Sequence, residues 1–226
     1  MRVRTLHSWR VGARAAAAIQ ERLRARLRFP RARREARFVA GADISFSPGS
    51  ERVFAGVVVL SWPALETIEE RAAETRAAFP YVPGLLSFRE IPALLPLFRA
   101  LARTPDLVVC DGHGIAHPRR FGLASHLGLL LRRPAIGCAK SILVGTHAAL
   151  GAERGARARL LVGGETRGFA IRTRAAVRPL IVSPGHSISL DESARWALLL
   201  SPRFRIPEPI RRAHALVNRL RREAGA

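Results

Sequence analysis

The chain has 226 residues, 48% of them hydrophobic, which suffices for one substantial core and suits one α/β domain over residues 1–226 better than two small ones. Its 38 Lys+Arg against 17 Asp+Glu leave a formal charge of +21, which points to a polyanionic partner, nucleic acid first and a membrane surface second. No apolar run reaches the roughly 18–20 residues of a membrane span, and the arginine-bearing N-terminus lacks a signal-peptide apolar core; a cytoplasmic monomer is the expectation.

In chain order, residues 12–28 carry strong helix formers with an apolar stripe through Ala16, Ile19, Leu23 and Leu27, which predicts an amphipathic helix. The following basic stretch, "RARREAR", is expected to be exposed. Then "RFVAGADISF" and "RVFAGVVVLSW" read as strands joined by a turn at "SPGSE", and "LETIEERAAET" reads as a more polar edge strand, so the chain opens with an antiparallel meander. From "SFREIPALLPLFRALA" onward helix alternates with strand ("DLVVC", "FGLASHLGLLLR", "PAIGCA"), the pattern of parallel strands with crossover helices. A hairpin, "ARLLVGG" with "TRGFAIRT", a strand "PLIVS" and helices near 190–200 and 208–223 complete a mixed α/β fold with helices on both faces. Cys110 and Cys138 each close an apolar run and are expected to be buried free thiols.

The chemistry concentrates where "DLVVC" runs out, in "CDGHGIAHPRR", because ligands of open α/β sheets bind at strand ends. Asp43, Asp111 and Glu90 occupy comparable places, and carboxylates converging from adjacent strands suit a hard cation such as Mg²⁺ and metal-assisted phosphodiester cleavage. Each has a plainer alternative. Asp43 can serve a turn, and Ser87 with Glu90 fits a capping box. Pro92 argues against that box by suggesting a helix that starts near Ile91 and leaves Glu90 at its mouth, while Pro96 predicts a kink. Asp106 and Asp191 read as ordinary turn and N-cap residues. Lys140 is the sole lysine among the 38 cations, which marks a position where a compact point charge is required. The glycines of "DGHG" admit close backbone approach to a base or phosphate. His117 can orient a water or contact phosphate, and His113 can satisfy a nearby backbone group. In "PYVPG" two prolines stiffen a loop around Tyr81, which is either a core aromatic or a wedge that replaces a displaced base.

The segments "VAGADISF", "PYVPGLLSFRE", "VVCDGHGIAHPRRFGLASHLG", "PAIGCAKSILVG", "SPGHSISLDESA" and "RIPEP" together resemble the endonuclease V family along nearly the whole chain. The resemblance implies an RNase H-like fold and a DNA repair endonuclease using Mg²⁺, with Mn²⁺ as substitute. It would nick the second phosphodiester bond 3′ to deoxyinosine, leaving 3′-hydroxyl and 5′-phosphate ends. It further implies that Asp43, Glu90 and Asp111 hold metal, that His117 and Lys140 are their catalytic neighbours, and that Tyr81 with Val82 and Pro83 forms the wedge. A base pocket would be lined by main chain around Gly84, Leu86, Gly112 and Gly114, with His186 of "SPGH" near the active site. Cys110, the turn of "DISFSPGS" and the short basic tail depart from the family pattern without touching the implied ligands. Two other readings stay open: an endonuclease acting on inosine in RNA, and a non-catalytic nucleic-acid-binding protein.

Overall fold

The β-branched and small residues of the first half build the centre of the molecule in the computed structural model, which describes residues 1–31, 35–46 and 51–225. Strands β1 (Phe38–Phe46), β2 (Arg52–Ser61) and β3 (Thr67–Arg76) form the antiparallel meander, with the mostly exposed β3 at the edge. Strands β4 (Leu107–Cys110) and β5 (Ala135–Ala139) then pair parallel, β4 against β1 and β5 against β4. The hairpin β6 (Arg157–Val162) and β7 (Glu165–Ile171) and the strand β8 (Leu180–His186) complete one eight-stranded sheet in the order β3-β2-β1-β4-β5-β8-β7-β6. Parallel pairing stops at β5, since β8 returns antiparallel to it. The predicted turn at 47–51 and most of the basic stretch at 31–37 lie outside or at the margins of the described residues.

Alternate residues of the buried strands face opposite layers, as the two-residue period of a strand requires. Ala40, Ala42, Val108 and Cys110 pack beneath helices α2 (Leu86–Ala100) and α3 (Leu123–Leu131), whereas Val39, Leu107, Val109 and Ile136 pack with α4 (Leu190–Leu199) and Ile210 of α5 (Glu208–Glu223). Both cysteines are free and buried. Among the described residues no helix is long and apolar enough to cross a membrane.

Several local expectations give way to tertiary packing. Helix α1 (Ala13–Arg24) ends four residues early, its last turn tightened by Arg26 and Leu27 donating to the carbonyls three residues back, and its buried face includes Gln20. Helix α2 starts at Leu86 rather than near Ile91, which puts both Pro92 and Pro96 in its interior. Burial of Phe88, Ile91, Leu94 and Phe98 against the core holds this helix together despite the two missing donors. No capping box forms at Ser87, because Leu85 is the N-cap, and Ser87 Oγ instead lies 3.0 Å from His126 Nδ1. The α4 cap is Ser189, whose Oγ accepts from Glu192 N, so Asp191 sits in the first turn. Asp106 accepts from the backbone N–H groups of Arg37 and Phe38 and has the structural role expected of it.

Helix α5 lies against β1 where Gly41 has no side chain, and a Cβ there would come within 2.1 Å of the Pro209 backbone. Gly41→Ala should therefore lift α5 from the sheet and lower unfolding stability by about 1–3 kcal/mol in urea titration.

Candidate functional site

Register brings the acidic residues together. Ala42 of β1 faces Cys110 of β4, so Asp43 and Asp111, each one residue further along parallel strands, stand side by side at the same sheet end. Neighbouring strands are about 4.8 Å apart, close enough for two carboxylates to repel strongly. Glu90 joins them from the second turn of α2, not from the mouth of the helix. Burial raises the Asp43 carboxyl above its ordinary value and the charge of Asp111 adds to the rise; burial pushes Glu90 well up, with Asp43 and Asp111 contributing. Each of Asp43 and Glu90 thus feels the charge of Asp111.

Lys140 offsets that negative charge and His214 hydrogen-bonds to it. Lys140, just past β5, donates from Nζ to Asp111 Oδ2, which the parallel β4–β5 pairing makes possible. His214 of α5 lies with Nδ1 2.7 Å from Asp43 Oδ2, and Asn218 Nδ2 lies 2.9 Å from its Nε2. A tautomer with Nδ1–H donating to Asp43 and Nε2 accepting from Asn218 satisfies both contacts. Sequence reasoning missed His214. Its only local signal is the four-residue spacing from Asn218 on a helix, and nothing local ties that pair to Asp43.

Beside the carboxylates lies a cavity of about 270 Å³ whose walls include Tyr81, Val82, Pro83, Gly84, Leu86 and Gly112. Tyr81 is 70% exposed, which excludes the core reading of this residue. Its loop is rigid for a definable reason. Leu85 N donates to Val82 O across Pro83 and Gly84, and the positive φ of Gly84 (76°) gives the Pro-Gly pair of a type II turn. The Gly84 carbonyl then accepts from Gln20 Nε2 (3.0 Å), His117 Nε2 (3.0 Å) and Arg119 Nη2 (2.8 Å).

His117 also lines this cavity, and the protein itself occupies its ring nitrogens. It is buried, its Nε2 donates to Gly84 and its Nδ1 accepts from Arg119 N, so both ring nitrogens are committed to joining the Tyr81 loop to the segment after "DGHG". His113 Nε2, 3.0 Å from Ser141 O, makes the backbone contact foreseen for it. Gly114 is not part of the cavity wall: its N–H donates to Ser183 Oγ, and a Cβ would come within 2.1 Å of Pro184 O. His186 is also displaced from the expected place, since it pairs with Ala135 at the start of β5 while Lys140 follows its end.

A mixed RNase H-like sheet, with carboxylates gathered at one strand end of a strongly cationic chain, defines a nuclease. Residues 19–215 match the Endonuclease V family profile. The endonuclease V of Myxococcus xanthus is 48% identical over 219 residues, covering 96% of this chain and 93% of that protein. The crystal structure of the Streptomyces avermitilis endonuclease V superposes over 100% of both chains at 42% identity and a TM-score of 0.91. That of the Ciona intestinalis endonuclease V, in complex with a 24mer DNA containing an inosine followed by a ribo-adenosine, covers 92% of this chain and 96% of its own at 27% identity and a TM-score of 0.80. The chain belongs to the endonuclease V family.

Burial and the Arg119 charge lower the His117 pKa to about 4 from an ordinary 6.5, so the unfolded chain binds a proton that the folded chain refuses between these values. Stability contributed by this site is complete above pH 6.5 and falls as pH drops toward 4. His117→Asn should therefore lose about 2 kcal/mol less stability than the parent between pH 7 and pH 5, read from urea midpoints at each pH.

Proposed function

We propose that this protein is a DNA repair endonuclease that hydrolyses the second phosphodiester bond 3′ to deoxyinosine, leaving 3′-hydroxyl and 5′-phosphate ends. The observation that carries the reading is the side-by-side placement of Asp43 and Asp111, joined by Glu90 and Lys140, beside a small cavity overhung by exposed Tyr81.

The donor set suits a divalent ion. Among the described residues no three His, Cys, Asp or Glu side chains close into a complete ligand cage, with Asp111 turned to Lys140 and Asp43 to His214. Mg²⁺ does not require such a cage, because it keeps several waters and takes only one or two carboxylates plus phosphate oxygens. Asp43, Glu90 and Asp111 are the residues that would hold Mg²⁺, with Mn²⁺ as a substitute, and their mutual repulsion supplies the demand for positive charge. Such an ion, when bound, supplies activation of water at neutral pH and stabilisation of developing charge. The chain's own groups do the rest. Lys140 offers a compact cation to the leaving oxygen, and its ion pair with Asp111 holds it at the acidic edge until phosphate arrives. Tyr81, presented by the locked turn, fills the stack left by the extruded base. The cavity walled by Gly84, Leu86 and Gly112 receives that base, and His117 keeps its two sides in register.

A second reading, cleavage of inosine-containing RNA, draws on the ribonucleotide that follows the inosine in the Ciona complex. Matched, end-labelled DNA, RNA and DNA with one ribonucleotide, each carrying a single inosine, separate the two. Metal-dependent nicking of all-DNA strands one nucleotide beyond the inosine supports the repair reading, RNA-only cutting replaces it, and binding without cutting of either strand rejects catalysis.

Asp43→Ala and Asp111→Ala should each abolish metal-dependent nicking in this assay. Lys140→Arg, which keeps the charge but not its shape, should lower turnover by about 10²–10³-fold with the KM for DNA little changed. Tyr81→Ala should weaken binding to inosine-containing duplex by about 1–3 kcal/mol and leave binding to undamaged duplex nearly unchanged, measured by anisotropy.

A further inference from the structure

The end of the sheet opposite the carboxylates holds a second, strongly cationic cavity of about 490 Å³, walled by Arg4, Arg26, Arg28, Arg132, His186 and Ser187 among others. Its arginines differ from those of the neighbouring, larger cavity. There Arg120 and Arg167 pair with Glu165, and Arg24 pairs with Glu21. Arg4, Arg26, Arg28 and Arg132 pair with no carboxylate among the described residues. The C-terminal ends of α1 and α3 approach this cavity, but two helix ends supply only about one negative charge in total, well short of four guanidinium groups.

A second observation points to a ligand. His186 is 7% exposed and its Nδ1 is closed off inside the protein, so the ring nitrogen left open is Nε2, which has no hydrogen-bond partner among the described residues. The ring lies on the cavity wall beside Arg28, whose charge together with burial lowers the His186 pKa to about 4. A neutral imidazole can carry its proton on Nε2 and donate it to an anionic oxygen. Guanidinium groups prefer planar, paired contacts to phosphate oxygens.

We propose that this cavity is an exosite for backbone phosphates of the nucleic acid flanking the cleavage site, engaged by Arg4, Arg26, Arg28 and Arg132 with His186 as an uncharged donor. The idea rests on the nuclease reading above but not on the choice of base. Five residues of extended chain separate Ala135, the partner of His186, from Lys140, a span of about 16 Å or roughly five base pairs. The exosite therefore contacts only substrates long enough to reach it, and its contribution is independent of sequence and lesion.

The test uses hairpin-capped duplexes whose arms extend about three or about twelve base pairs to each side of a central inosine or adenine, the short arms ending before the exosite. Arg28→Ala/Arg132→Ala should bind the long duplexes about tenfold more weakly, with a salt slope smaller by about two, and should bind and nick the short inosine duplex as the parent does. The loss should be equal with inosine and with adenine. Equal loss at both lengths, or no loss at either, overturns the exosite. Failure of the parent protein to prefer inosine would instead overturn the proposed function, while a length-dependent loss on undamaged duplex would still support the exosite. As a check that needs no variant, the His186 ring resonance of the parent protein should shift with the long duplex and not with the short one. A shift with inorganic phosphate and with neither duplex would overturn the proposal in favour of a small-anion site.

Discussion

Repulsion between carboxylates that the sheet forces together is the interaction on which the site depends. Parallel pairing of β1 with β4 gives Asp43 and Asp111 no freedom to separate, because each is attached to a strand whose apolar residues are buried on both faces. The fold meets the resulting charge with the Lys140 cation from the end of β5 and with a hydrogen bond from the neutral His214 of α5. Both partners are themselves placed by the same sheet, one through the β4–β5 register and the other through the close approach of α5 to Gly41. The electrostatic cost of the acidic edge is thus distributed over elements far apart in the chain.

The cavity beside that edge is organised by a single carbonyl. Three donors from α1 and from the segment after "DGHG" meet at Gly84 O, so the loop presenting Tyr81 cannot move independently of the floor of the site. A buried neutral histidine, a buried glutamine and the Arg119 guanidinium, which also donates to that glutamine, do this holding. In the function proposed above, rigidity here matters because an exposed aromatic would replace a displaced base only if its position is set in advance.

The excess of arginine is similarly structured rather than diffuse. Many arginines are engaged by carboxylates, as Arg211 and Arg212 are with Glu208, or cap backbone carbonyls, as Arg205 does at Lys140 and Pro179. Others, such as Arg14, Arg99, Arg174 and Arg203, are exposed with no carboxylate partner among the described residues, and four more line the cavity at the far end of the sheet, where a polyanion spanning the molecule from the acidic edge would meet them.

Element types, their order and the meander were legible in the sequence, because period-two runs with β-branched residues and amphipathic helices are local signals. The acidic positions, the isolated Lys140 and the stiff loop around Tyr81 were legible too, since rare residue types stand out against an arginine-rich, apolar background. What the sequence left open depended on contacts between distant segments. Helix α2 begins before its prolines because of the core it covers, His117 bonds to the Gly84 carbonyl across the cavity wall, and Gly114 serves close packing against β8. His214 enters the site, and His186 leaves it, only when α5 docks on β1 and β8 runs antiparallel to β5. Chemical identity is carried by each residue alone, but proximity is set by register and packing, and these are properties of the assembled sheet.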